Sequence, residues 1–176
     1  MHTITLGGGC FWCLEAVYLE MNGVISVESG YMGGHIEHPT YEQVCHGSTG
    51  HAEVVRLQYD SEKVSLQDIL AVFFKIHDPT SLNRQGADVG TQYRSVIFTY
   101  QEADFTACEK LINELNESDA FAKPIVTEVQ RAGIFYPAED YHQNYFANHP
   151  EQAYCRFVVQ PKVEKFRKVF SKYQHS

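Results

Sequence analysis

The chain lacks any apolar run approaching the roughly 20 residues needed to cross a bilayer, so no membrane span is expected. Its beginning, Met1-His2-Thr3-Ile4, has no basic region followed by an apolar one, so no secretory leader is expected. Positive charge is short: 14 lysines and arginines face 22 aspartates and glutamates, a net charge of −8. Such a deficit argues against nucleic acid or an anionic membrane surface as the main partner. A second Cys-x-x-Cys is missing, so His35, His38 and His46 do not complete a zinc-ribbon pattern, and no metal is expected. The glycine run near the start lacks the Lys-Ser/Thr of a phosphate-binding loop, which argues against a bound nucleotide. With no repeat, low-complexity stretch or linker, residues 1–176 are expected to form one domain with a sizeable core.

What remains is the composition of an ordinary globular protein, 44% hydrophobic and 20% charged. The five cysteines cannot all pair within the chain. Without an export signal they point to a reducing compartment, by default the cytoplasm, where disulfides are transient and catalytic.

The densest local signal is Gly7-Gly8-Gly9-Cys10-Phe11-Trp12-Cys13-Leu14-Glu15. A strand-like Ile4-Thr5-Leu6 runs into three glycines, which allow a sharp turn and a close approach of backbone. Cys10 then falls in the first turn of a helix, where unpaired N–H groups and the macrodipole favour an anion. The expectation is a lowered pKa and a nucleophilic thiolate. Phe11 and the single tryptophan, Trp12, can wall an apolar pocket beside the sulfur.

Further along, Val24 to Glu28 reads as a strand, and Gly30 to Gly50 as a long loop around a helical turn near Tyr41 to Val44. In Ala52 to Asp60, Val55, Leu57 and Tyr59 share one face, and Glu53 belongs to that buried set by parity. A carboxyl there has its charged form disfavoured and its pKa raised, which suits a general acid. Ser65 to Asp68 reads as a capping box for a core helix ending before Pro79, with His77 and Asp78 at its C-terminal cap. A strand from Arg94 to Tyr100 and a helix from Glu102 to about Asn116 follow, with Cys108 as a small core residue. Ile125 to Val129 reads as a strand, Phe135 to Tyr145 as the opening of a short helix, and Cys155 as part of less regular sequence. Lys162 to Tyr173 is the last helix, with Val163, Phe166, Val169 and Phe170 inside. The mixture predicts an α+β two-layer domain with a mixed β-sheet flanked by helices.

Several stretches carry a resemblance. Gly9-Cys10-Phe11-Trp12-Cys13-Leu14-Glu15, Gly30 to Gly34, Tyr41 to Cys45, Gly50-His51-Ala52-Glu53-Val54-Val55, Gln92-Tyr93-Arg94-Ser95 and Ala138 to Gln143 resemble, in order, the signature of the peptide methionine sulfoxide reductase A family. The resemblance implies a ferredoxin-like arrangement and thiol-dependent reduction of the S epimer of methionine sulfoxide, protein-bound or free. It implies Cys10 as nucleophile, Phe11 and Trp12 as the methyl pocket, Glu53 as acid, Tyr41 and Tyr93 as donors to the sulfoxide oxygen, and Asp88 as a group that helps set the site. By residue type alone Tyr41, Tyr93 and Asp88 read as packing or turn residues. Glu15 reads as structural, and His142 and Tyr145 as groups behind the site. Attack leaves a sulfenic acid on Cys10, and a second cysteine closes a disulfide that thioredoxin or a similar dithiol reduces, with no cofactor. Asn148 to Cys155 resembles the family's recycling stretch, so Cys155 is the expected second thiol, with Cys13 as rival. The competing reading of Cys10-x-x-Cys13 is a thioredoxin-like thiol-disulfide oxidoreductase. It leaves the glycines, Glu53 and the tyrosine-rich loops without a role.

Overall fold

A computed structural model describes residues 1–173. Ile4 and Leu6, fully buried on strand β1 (His2–Gly7), aim the chain into the glycine turn, from which helix α1 (Phe11–Leu19) departs. Strand β2 (Val24–Met32), helix α2 (Tyr41–Cys45), strand β3 (Ala52–Tyr59) and helix α3 (Leu66–Ile76) follow. A two-residue hairpin, β4 (Arg84–Gln85) and β5 (Asp88–Val89), precedes strand β6 (Val96–Thr99) and helix α4 (Glu102–Glu117). The chain closes with β7 (Glu128–Arg131), β8 (Tyr136–Pro137), the short helix α5 (Tyr145–Asn148), a π turn at Cys155–Val159 and helix α6 (Gln160–Val169).

The main sheet runs β7-β6-β1-β3-β2-β8, antiparallel throughout except for the parallel pair β6 and β7. The expected mixed α+β arrangement is therefore present. On β3, Val55, Leu57 and Tyr59 are buried as their parity predicts, at 0%, 0% and 2% exposure, and face the helices. At its other end both faces are covered: Ala52 and Val54 join Met32, Val96 and Phe98 in a smaller core on the opposite side of the sheet. Tyr18 of α1, wholly buried, donates to the Ile69 carbonyl of α3 at 2.8 Å and fixes the two helices together.

The capping box of α3 forms as expected, with Ser65 Oγ accepting from Asp68 N and Asp68 Oδ2 accepting from Ser65 N, each at 3.1 Å. Cys108 is fully buried on α4. Other expectations are corrected. The strand expected at Ile125 to Val129 begins only at Glu128. Phe135 to Tyr145 is not a helix: Tyr136–Pro137 adds an edge strand to β2, a place where proline's missing N–H costs no ladder bond. Cys155 lies in the helical π turn rather than in irregular chain, and the wide turn stands just before Pro161, which cannot donate to the helix. Val163 and Phe166 are buried on α6, but Val169 is 47% exposed.

His77 does more than end α3. It is buried, its Nδ1 pairs with the Phe73 carbonyl, its Nε2 is 2.7 Å from Ser95 Oγ, and Ser95 Oγ is 2.7 Å from Thr127 Oγ1. Burial lowers its pKa to about 4, so it is neutral at physiological pH. This ring is the floor under the glycine turn: a Cβ added at Gly8 would lie 2.8 Å from His77 Cδ2. Gly8→Ala is therefore expected to lower stability by about 1–3 kcal/mol, the usual cost of overpacking. Urea unfolding of the two proteins measures it; an unchanged midpoint would show that the His77 ring gives way freely.

Candidate active site

The sulfur of the glycine turn is presented by three local constraints. Gly9 adopts φ of +84°, a conformation that side chains disfavour, and its N–H donates to the Tyr93 carbonyl at 3.1 Å. Cys10 is the N-cap residue of α1 and makes no side-chain cap bond, so its thiol is left for other chemistry. Its carbonyl accepts from Cys13 N at 3.1 Å, which begins the helix.

Glu53 enters from β3 on the helix-facing side, as parity predicted, and is fully buried. Its Oε1 accepts the Phe11 N–H at 3.2 Å. Its Oε2 is buried with no partner among the described residues. Burial, and then the charge of Asp88, raise its pKa to about 8, against the lowering by Phe11 N–H. Glu53 thus holds a proton at neutral pH.

The same surroundings overturn the expectation for Cys10. Its pKa is raised, not lowered: burial is the largest cause, and the neighbouring Glu53 and Cys13 add to it. The helix-end effect, worth about 1 kcal/mol, does not offset removal of the sulfur from water. Cys10 rests as a thiol.

Tyr41 and Tyr93 bracket this pair. Tyr41 opens α2, whose N-cap Thr40 forms a capping box with Gln43. Tyr93 ends the 3₁₀ turn Thr91–Tyr93. Both hydroxyls have raised pKa values, first from burial and then from the charge of Glu53, so both remain donors. The Tyr41 hydroxyl meets the sulfur of the exposed Cys45.

Phe11 and Trp12 form the apolar wall. Phe11 lies against Tyr31, Tyr41 and His142, with ring centroids 5.7, 6.5 and 5.1 Å away. Trp12 stacks on Tyr145 at 3.7 Å with planes 3° apart, and its Nε1 donates to His142 Nδ1 at 3.1 Å. Asp88 lies to the side, its Oδ2 accepting the Tyr154 hydroxyl at 2.6 Å.

These residues come from distant parts of the chain yet converge on one thiol. A model of the peptide methionine sulfoxide reductase family matches residues 2–174. The chain belongs to that family. It is 55% identical to the peptide methionine sulfoxide reductase MsrA of Polynucleobacter asymbioticus, over 97% of this chain and 90% of that one. Among solved structures it is similar to Mxr1 from Saccharomyces cerevisiae in reduced form, with a TM-score of 0.80, 34% identity and coverage of 87% and 88% of the two chains. It is also similar to methionine sulfoxide reductase A of Corynebacterium diphtheriae, with a TM-score of 0.80, 35% identity and coverage of 85% and 75%.

In this family member Cys10, Phe11, Trp12, Tyr41, Glu53 and Tyr93 are gathered at one site, and Asp88 borders it. Cys155 stands apart. It is fully buried in the π turn packed on α1, and its charge acts on Cys13 rather than prominently on Cys10. Sequence reasoning gave no role to Glu139 or Tyr154. Glu139 accepts the Tyr31 hydroxyl at 3.0 Å and the Tyr41 N–H at 3.1 Å, so it helps to locate Tyr41. Its only signal was its position in the Ala138 to Gln143 stretch. The only signal for Tyr154 was its place beside Cys155 in the Asn148 to Cys155 stretch.

The raised pKa of a sheltered Cys10 has a direct consequence. In the reduced protein at pH 7, iodoacetamide is expected to label exposed Cys45 before Cys10, since only thiolate reacts. Peptide mass mapping over time checks the order; preferential labelling of Cys10 would restore the lowered pKa.

Proposed function

We propose that the chain reduces methionine S-sulfoxide, in proteins and as the free amino acid, through the thiol of Cys10. The observation that carries this reading is the buried, protonated carboxyl of Glu53 with one oxygen left without a partner beside that thiol. The sulfoxide oxygen is placed where Glu53 Oε2 and the hydroxyls of Tyr41 and Tyr93 can donate to it, and the methyl group against Phe11 and Trp12. Proton donation makes the sulfoxide sulfur electron-poor, and the Cys10 sulfur attacks it after losing its proton. The S–O bond breaks with both electrons going to oxygen, which leaves as water and gives a Cys10–methionine sulfonium. Water then attacks the Cys10 sulfur, the new sulfur–sulfur bond breaks with its electron pair returning to the methionine sulfur, and a proton returns to Glu53. The products are methionine and a sulfenic acid on Cys10.

A second thiol then condenses with the sulfenic acid, forming a disulfide and releasing water. We assign this step to Cys155, with Cys13 as the alternative. Cys155 must open its π turn to arrive, and such turns are weak places in a helix that often mark function. Cys13 is one helical turn from Cys10 and needs little movement. Thioredoxin or another dithiol reduces the disulfide and is itself oxidised; no cofactor is called on. The strands β1, β2, β3 and β6, in the spatial order β6-β1-β3-β2 with α1 and α3 as crossovers, support a ferredoxin-like description of a single domain. Five unpaired cysteines support a reducing compartment such as the cytoplasm.

The test is mass spectrometry of the separate sulfoxide epimers incubated with protein and dithiothreitol. The S epimer alone should be converted. Cys10→Ser should abolish the reaction, and Glu53→Gln should slow single-turnover methionine formation by about 10²-fold, the worth of a positioned acid. Turnover by Cys10→Ser would sink the assignment, and a Glu53→Gln rate within a few-fold of wild type would remove Glu53 from the acid role. The recycling step is read by peptide mapping after one equivalent of sulfoxide without reductant. A Cys10–Cys155 linked peptide is expected. A Cys10–Cys13 loop, with Cys155→Ser still turning over with thioredoxin, would make Cys13 the second thiol.

A further inference from the structure

Glu15 is a carboxyl buried to 2% exposure on α1, and among the described residues it forms no ion pair. Its partners are all neutral donors. Ser29 Oγ donates to Oε2 at 3.1 Å and Tyr145 N donates to Oε1 at 3.2 Å, with the Asn144 backbone N–H close by. Burying a carboxyl without a counter-charge costs free energy that a leucine or methionine would avoid. What the carboxyl supplies instead is direction. Glu15 is three residues beyond Trp12, so the two share a face of α1. The segment 142–145 lies along that face: His142 on the Trp12 indole N–H, Tyr145 on the Trp12 ring, and the backbone of 144 and 145 on Glu15. Gln143 closes the arrangement from the other side. Its Oε1 accepts Ser29 N at 3.0 Å and its Nε2 donates to Ser29 O at 2.9 Å, while Ser29 Oγ returns to Glu15. Asn144 takes up a left-handed φ of 54° to fit between these ties.

We propose that Glu15 is a positioning residue for substrate binding: through the backbone of Asn144 and Tyr145 it sets the Tyr145 ring against Trp12 and so holds the Trp12 wall of the methyl pocket. This rests on the reading that Phe11 and Trp12 hold the substrate methyl. Because Trp12 is the only tryptophan, its fluorescence reports the stack without labelling.

The test compares Glu15→Ala, Glu15→Gln and Tyr145→Leu in the reduced protein, with a short peptide bearing one methionine S-sulfoxide as probe. Glu15→Ala should move Trp12 emission to the red and raise the half-saturating peptide concentration about tenfold, with the single-turnover rate at saturation within about threefold of wild type. Glu15→Gln keeps an oxygen for the Tyr145 N–H and should recover most of the binding. Tyr145→Leu leaves the Glu15 bonds in place and should reproduce both the emission shift and the weaker binding. Unchanged emission and half-saturation in Glu15→Ala, with only a lower unfolding midpoint, would make Glu15 an anchor of the fold and overturn the proposal. Should Glu15→Ala fail to fold, Tyr145→Leu decides, and unchanged half-saturation there overturns it too. An emission shift with unchanged half-saturation overturns the proposal through the methyl-pocket reading on which it rests; unchanged emission overturns the positioning itself.

Discussion

A carboxyl taken out of water beside a thiol is the constraint on which the rest of the structure depends. Ionised Glu53 would be an almost uncompensated buried charge, with a single N–H on one oxygen and nothing on the other. The group keeps its proton instead, and that choice spreads outward. Cys10 stays a thiol first because the site is dry, and at higher pH, once Glu53 ionises, its charge further opposes charge on sulfur. Tyr41 and Tyr93 stay phenols for the same two reasons. A site with no resting thiolate is unusual for a cysteine nucleophile, but it is consistent with a substrate that must first be protonated. A protonated carboxyl, not a thiolate, is what this fold prepares in advance.

Glu53 was legible in the sequence because its warrant is local. A strand alternates with a period of two, and Val55, Leu57 and Tyr59 name the buried face without reference to anything distant. The capping of α3 by Ser65 and the burial of Cys108 on a helical stripe are legible for similar reasons. The state of Cys10 was not. Its position at a helix start is a local fact, whereas the carboxyl that opposes its ionisation arrives from 42 residues beyond Phe11. The local signal gave the wrong sign of the shift. Phe135 to Tyr145 failed differently. Proline and a run of aromatic and polar residues suit a helix start, an edge strand or a turn, and only pairing with Gly30 and Tyr31 of β2 selects the edge strand.

That segment shows how a nearly structureless stretch can be made precise. Between Ala138 and Tyr145 there is little regular backbone, yet several side chains lock it down. Glu139 takes Tyr31 and the Tyr41 backbone, Gln143 takes both backbone groups of Ser29, and Glu15 takes the backbone of Tyr145. The ties reach β2, α2 and α1, so the segment is fixed in more than one direction. His142, lowered in pKa by burial, accepts from Trp12 as a neutral ring and fills the space between Phe11, Tyr41 and Tyr141. Carboxyl and amide groups, not apolar packing alone, set the aromatic cage. Hydrophobic periodicity therefore could not reveal it.

On the roles proposed above, the two halves of the reaction meet at Asp88. On one side its charge helps raise the pKa of Glu53. On the other it accepts the hydroxyl of Tyr154, the residue before Cys155. Tyr154 in turn lies edge-on to Trp12 at 5.7 Å. A Cys155 that travels to Cys10 must carry Tyr154 with it and break the bond to Asp88, leaving that carboxylate free to hydrate. A disulfide between Cys10 and Cys13 leaves the bond intact, but it draws together the ends of the turn that contains Phe11 and Trp12. Either route to the disulfide thus disturbs the reductive site, one through the acid and the other through the methyl wall. Reduction of sulfoxide and recycling of the thiol are on this geometry mutually exclusive states, and the return of the Tyr154 hydroxyl to Asp88 is part of restoring the first.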